Sequence, residues 1–140
     1  MDQRLSLITL SVTDLARSRR FYVDGLGWSP HFENEQIVFF QLNGLAFGLF
    51  ELAAYMADAK LAAKPGYGGI ALAYNARERD QVEPLIAHAV DAGGTLLKAA
   101  AEPPWGGYSG YFADPDGHVW EIAWNPGWTI DGAGHVTIGG

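Results

Sequence analysis

No cysteine occurs in the chain, which excludes disulfides, thiolate metal ligands and a Cys nucleophile and fits a reducing compartment. Positive charge is scarce: nine Lys and Arg stand against sixteen Asp and Glu, for a formal net charge of -7. Nothing in that balance would offset phosphate repulsion, so no nucleic-acid partner is expected. Long apolar runs are missing too, so no segment spans a bilayer. The opening MDQRLSLITLSV has no basic start, apolar core or small-residue cleavage site of a secretory leader. A soluble, cytoplasmic protein without a membrane partner is the expectation. Histidine is limited to His31, His88, His118 and His135, none at ligand spacing from another. A Gly-x-Ser-x-Gly elbow, a phosphate-binding glycine loop and a spaced Asp/Glu/His cluster are all lacking.

What is present is globular. Of 140 residues, 49% are hydrophobic and 18% charged, enough for one domain with a real core. Residues 5–12 alternate, with Leu5, Leu7, Thr9 and Ser11 on one face and Ile8, Leu10 and Val12 on the other, which predicts a strand. Thr13-Asp14 offers a helix N-cap, residues 15–26 follow as a helix, and Gly25 and Gly27 end it. A short strand is expected over 28–32. Residues 37–42 and 45–52, joined at Asn43-Gly44, form a hairpin. The alanine-rich stretch 55–63 is a short helix or a loop, broken at Lys64-Pro65-Gly66.

The pattern then repeats: a strand over 69–74, a helix with Asp80-x-x-Glu83 in capping-box form, a strand over 95–99, and a closing hairpin. Pro84 is tolerable because it falls in the first helical turn. In the hairpin, WGGYSGYFADPDGHVWEIAW, Asp114-Pro115-Asp116-Gly117 supplies the turn. Direct pairing across that loop sets Phe112 opposite Val119, Gly110 opposite Glu121 and Tyr108 opposite Ala123. Tyr111, Trp120 and Ile122 then share the core face. Glu121 is a lone carboxylate in an apolar run, and a buried charge needs a partner, a metal or a proton. The tail, 126–140, would add an edge hairpin through Asp131-Gly132 or fold over the domain.

SLITLSVTDLARSRRFYVDGLGW resembles the opening of the vicinal oxygen chelate superfamily (glyoxalase I, bleomycin-resistance proteins and extradiol dioxygenases). YFADPDGHVWEIAW resembles its closing hairpin. The resemblance implies an α+β fold, with two βαβββ modules of about 3–52 and 68–124 curving their sheets around a cleft. They would make one domain over 1–125, and a homodimer is implied. It also assigns four ligand positions to metal-dependent members, which fall here on Leu7, Gly48, Gly69 and Glu121. Three of those lack a ligand atom, and one carboxylate cannot hold a divalent cation in defined geometry. No metal and no cofactor are therefore expected.

The cleft residues that strand parity leaves are Thr9, Ser11, Tyr108, Phe112 and Glu121. Gly69, Ala71 and Ala73 leave space beside them, and Trp105 lies on the rim. An aromatic wall with one carboxylate suits a flat or cationic small organic molecule. One reading is a metal-free binding protein that sequesters its ligand. The alternative is a lyase or isomerase of glyoxalase-like fold in which Glu121 is the catalytic general base. A metal-dependent glyoxalase or dioxygenase comes third. Glu121 also has a structural reading, as acceptor for a backbone N–H or for the hydroxyl of Thr9 or Ser11.

Overall fold

Two units make up the chain, Met1–Gly68 and Gly69–Gly140, each built on a four-stranded sheet. The structure, a computed structural model, describes every residue except Asp2, Arg4, Tyr67, Gly68, Trp105 and Gly140.

In the first unit the alternating segment forms β1 (Leu7–Val12). Asp14 caps α1 (Leu15–Arg20) by accepting from the Arg17 amide at 2.9 Å, a contact worth about 1 kcal/mol. The helix then widens into one π-helical turn, Phe21–Gly25, in which the Leu26 amide reaches the Phe21 carbonyl at 2.8 Å. Phe21 and Tyr22 are both buried against the sheet. The strands β2 (Phe32–Glu33), β3 (Ile37–Gln41) and β4 (Ala46–Glu51) follow, in sheet order β1-β4-β3-β2 with β1 parallel to β4. The Asn43-Gly44 turn is present, with Gly44 at φ 96°.

The strand expected over 28–32 is shorter, because Trp28 is drawn into the core. Its ring lies 5.4 Å from Tyr22 and 5.5 Å from Phe40 and Phe47. Burying each such ring stabilises by about 2–3 kcal/mol, more than a marginal edge pairing would give. The alanine-rich stretch becomes α2 (Leu52–Asp58), set earlier than expected because the Glu51 carboxylate caps it, accepting from the Ala53 and Ala54 amides.

The second unit repeats the plan. It runs β5 (Ala71–Asn75), a 3-10 turn (Arg79–Gln81), α3 (Val82–Asp91), β6 (Thr95–Ala101), β7 (Tyr108–Ala113) and β8 (Val119–Trp124). Sheet order is β5-β8-β7-β6 with β5 parallel to β8, the arrangement of the first sheet. Val82, Ile86 and Ala89 of α3 are buried, as are Phe112, Trp120 and Ile122 on the strands that α3 lies against. Gly110 lies where that helix approaches closest: a Cβ there would stand 2.6 Å from Ile86 Cδ1 and 2.8 Å from the Lys98 carbonyl.

Two local expectations are corrected. The capping box is Glu78 with Gln81, not Asp80 with Glu83, because the 3-10 turn inserts one tight turn ahead of α3. The strand expected from 69 begins at Ala71, since Gly69 has φ 67°, a left-handed conformation that takes it out of the pleat. The tail forms its own hairpin, β9 (Thr129–Ile130) with β10 (Val136–Thr137), closed by an Asx turn at Asp131. Among the described residues no helix is long and apolar enough to cross a membrane.

Candidate functional site

The DPDG loop decides what each strand of the last hairpin presents. Asp114 is buried, and its carboxylate accepts from the amides of Asp116 and His118, both at 2.9 Å. Its own amide donates to the His118 carbonyl at 2.9 Å, and Gly117 closes the turn at φ 89°. Asp114 and His118 therefore stand opposite each other, so Ala113 pairs with Val119, Phe112 with Trp120, Tyr111 with Glu121 and Tyr108 with Trp124. This register is one residue away from the expected one, and a slip of one residue exchanges every side chain between faces.

The exchange corrects the candidate site. Phe112 turns to the α3 face, 2% exposed and stacked on Trp120 at 6.3 Å. Tyr108 joins that face too: its hydroxyl donates to the Glu83 carboxylate of α3, and the Arg79 guanidinium lies 3.9 Å over its ring. Arg79 in turn pairs with Glu102 at 3.0 Å. Neither aromatic shares a face with Glu121. Tyr111, expected in the core, does.

The face away from α3 thus carries one row across all four strands: Lys98 on β6, Tyr111 on β7, Glu121 on β8 and Ala73 on β5. Tyr111 and Glu121 are direct register partners across β7 and β8, so their side chains leave the same face side by side. Burial pushes the Tyr111 phenol above its ordinary value, and Glu121, by hydrogen bonding and by its negative charge, pushes it further the same way. The Lys98 ammonium lies 5.8 Å from the Tyr111 ring centroid, within cation–π reach. Ser109 and Ala123 are buried beside the pair, and exposed Ala73 leaves open space on its other side.

In the first unit, Thr9 and Ser11 lie on the face away from α1, as parity predicted, opposite Gly48 and Phe50 of β4. Gly48 is covered by a ring: a Cβ there would stand 2.9 Å from Phe39 Cε1. Phe32 packs near Phe39 at 6.3 Å and is half exposed. The expected rim residue Trp105 lies outside the described residues. The signals for Lys98 and Tyr111 were present in the sequence: a lysine in an otherwise apolar strand, and a phenol whose tip needs a partner.

The metal positions implied by the resemblance can be tested on these residues. Leu7, Gly48 and Gly69 offer no donor atom, Phe39 fills the space over Gly48, and Gly69 leaves the strand before β5 begins. Among the described residues no group of three or more His, Asp or Glu side chains is placed to hold an ion. This donor set does not fit a resident divalent metal.

The comparisons with known proteins agree on the scaffold. Among proteins of curated function, none matches the chain. The crystal structure of a glyoxalase-related enzyme from Fulvimarina pelagi is 45% identical, covers 99% of each chain and superposes with a TM-score of 0.94. A glyoxalase/bleomycin resistance protein/dioxygenase family enzyme from Burkholderia phytofirmans is 22% identical over 85% of this chain and 96% of its own, with a TM-score of 0.74. A lactoylglutathione lyase from Agrobacterium tumefaciens is 20% identical over 89% and 95%, with a TM-score of 0.69. The last two share the fold. The sequence profile of the glyoxalase/bleomycin resistance protein/dioxygenase superfamily matches residues 4–122, and the chain belongs to that superfamily.

Proposed function

We propose that this chain binds a small, flat or cationic organic molecule on the Tyr111–Glu121 face of its second sheet, without a resident metal, and sequesters it. The observation that carries this reading is the pairing of Tyr111 with Glu121 across β7 and β8, on the face that α3 leaves free. Side by side there, the phenol ring and the carboxylate offer a flat surface and acceptor lone pairs for a ligand N–H. The space beside Ala73 and the half-buried Tyr111 ring supply an apolar floor, and Lys98 sets one charged margin. Thr9 and Ser11 are proposed as ligand contacts of the first unit, on the face floored by Phe39.

A second reading is a lyase or isomerase in which Glu121 takes a proton from an acidic C–H and Tyr111 holds the carboxylate in place. It is favoured by the 45% identical relative from Fulvimarina pelagi, which is described as a glyoxalase-related enzyme.

Thermal-shift titration with acridine orange, with and without EDTA, tests the binding reading. At a hundredfold excess over the dissociation constant, a ligand stabilises by about 2.7 kcal/mol, a rise of several degrees. Glu121→Gln should abolish the rise. A rise that Glu121→Gln leaves intact, or one that EDTA removes, would overturn the assignment.

A further inference from the structure

A cavity of about 370 Å³ lies at the C-terminal end of β5 and β8, and the tail supplies Pro126, Trp128 and Ile130 to its wall. Its lining includes Asn75, Arg77 and Glu78 from the segment leading to α3, and Trp124, Asn125 and Trp128 from the end of β8 and the tail. Since the superfamily profile ends at residue 122, the part of the wall from Trp124 to Ile130 lies outside it. The wall is held in place. The Arg77 guanidinium donates from Nη1 to the Ile130 carbonyl and from Nη2 to the Asp131 carbonyl, both at 2.6 Å, clamping the β9–β10 hairpin to the segment after β5.

The lining chemistry narrows the ligand. Arg77 and Glu78 balance in charge, and the chain as a whole carries -7, so neither a polyanion nor a strong cation is favoured. Among the described residues, the half-buried Asn75 carboxamide makes no hydrogen bond, and the indole N–H groups of Trp124 and Trp128 have no acceptor. Asn125 Oδ1 accepts from the Gly127 amide at 3.1 Å, which leaves its NH₂ hydrogens to donate. Two indole π-surfaces beside a free carboxamide are the means by which proteins hold a heterocycle. The ring stacks, and the amide matches a donor–acceptor edge in bidentate fashion. The volume admits a bicyclic ring with a sugar.

We propose that this tail-walled cavity binds a neutral nucleobase or nucleoside, with its ring against Trp124 and Trp128 and its edge on Asn75. The site is separate from the Tyr111–Glu121 face and stands whether or not that face binds anything.

The test is NMR observation of the five tryptophan indole N–H resonances during titration with adenosine. The Trp124 and Trp128 resonances should shift saturably at millimolar adenosine. Asn75→Ala and Trp128→Ala should each weaken binding about tenfold or more, while Trp128→Phe, which keeps a stacking ring, should stay within a few-fold of wild type. Circular dichroism checks that the variants fold. Three results would each overturn the proposal: no saturable shift, a shift indifferent to both alanine variants, or the same saturable shift produced by methyl glucoside.

Discussion

Tyr111 and Glu121 are directly opposed on neighbouring strands, a phenol beside a carboxylate on one face of the sheet. The pair forms because Asp114 and His118 close the hairpin loop face to face. A loop one residue different would have sent Tyr111 into the core and left Glu121 opposite Gly110. The pair stands between Lys98 and Ala73 in its row, on the side away from α3.

The first prediction concerns the ionisation of Tyr111. Its folded pKa is raised by burial first, then by the bond to Glu121 and the charge of that group. A raised folded value means the pair's contribution to stability is fully present below the unfolded tyrosine value of about 10. It is lost as pH climbs through the folded value. Alkaline titration of tyrosinate absorbance, wild type minus Tyr111→Phe, should show Tyr111 ionising above the ordinary range. Glu121→Ala removes two of the three causes, the acceptor and the charge, and should move the titration back toward it. No difference between wild type and Glu121→Ala would mean that the two side chains do not interact.

Gly48 and Phe39 should prove coupled. A methyl at Gly48 meets the Phe39 ring at 2.9 and 3.0 Å, while Thr9 Oγ1 at 3.6 Å is in ordinary contact. Gly48→Ala should cost about 1–3 kcal/mol in urea denaturation, because the ring must shift. In a Phe39→Ala background the same change should be close to neutral. Additive effects in this double-mutant cycle would show that the ring already sits elsewhere.

Gly110→Ala should be harsher than Gly48→Ala. The added methyl meets the Lys98 carbonyl at 2.8 Å and the Ala100 amide at 2.9 Å, both backbone, as well as Ile86 Cδ1 at 2.6 Å. Backbone cannot rotate out of the way as a ring can. A loss of about 3 kcal/mol or more, read from the denaturation midpoint, is expected. A loss below that of Gly48→Ala would contradict the close approach of α3 and β6.

Acid should release the tail hairpin. Hydrogen bonds from the His135 amide and ring come first among the causes that hold the Asp131 carboxyl below its usual range, and the Ala133 amide adds to them. A depressed folded value means the contribution is present above the unfolded value of about 3.9 and lost as pH falls through the folded one. The amide proton shifts of Ala133 and His135 should move together in that window. Asp131→Asn should remove the transition, and its persistence there would assign it to another group.

A homodimer is expected in solution. Ile70 is 68% exposed, Tyr74 52% and Leu7 42%, and in the tail Ile138 is 71% exposed, apolar surface that a second copy would cover. Sedimentation equilibrium at micromolar concentration should give twice the chain mass of 15.1 kDa. A monomer there would count against it.

Much of the fold was legible because each signal was local and redundant. Alternation in β1, the Asp14 cap and the Asn43-Gly44 turn each mark an element by nearby residues alone, and the strand–helix–three-strand pattern occurs twice. The site was less legible because it depends on hairpin register. Asp114 looks like an ordinary turn residue in the sequence, and its burial and double acceptance across the loop arise only when both strands are present. Trp28 shows the same limit: residues 28–32 fit a strand, but the ring finds more stabilisation beside Tyr22, Phe40 and Phe47 than in a sheet edge.

The parallel pairing of β1 with β4, and of β5 with β8, has a consequence for how the chain comes off the ribosome. In each sheet the strand made first bonds only to the strand made last. Neither β1 nor β5 can be paired until its whole module has emerged, so each waits with its hydrogen-bonding edge unmatched while the intervening hairpin forms. Such long-range closure is slow and leaves intermediates open to capture by another chain's strand. A pause in translation once β4 has cleared the ribosomal exit tunnel would give the first sheet time to close before the second set of strands competes for it.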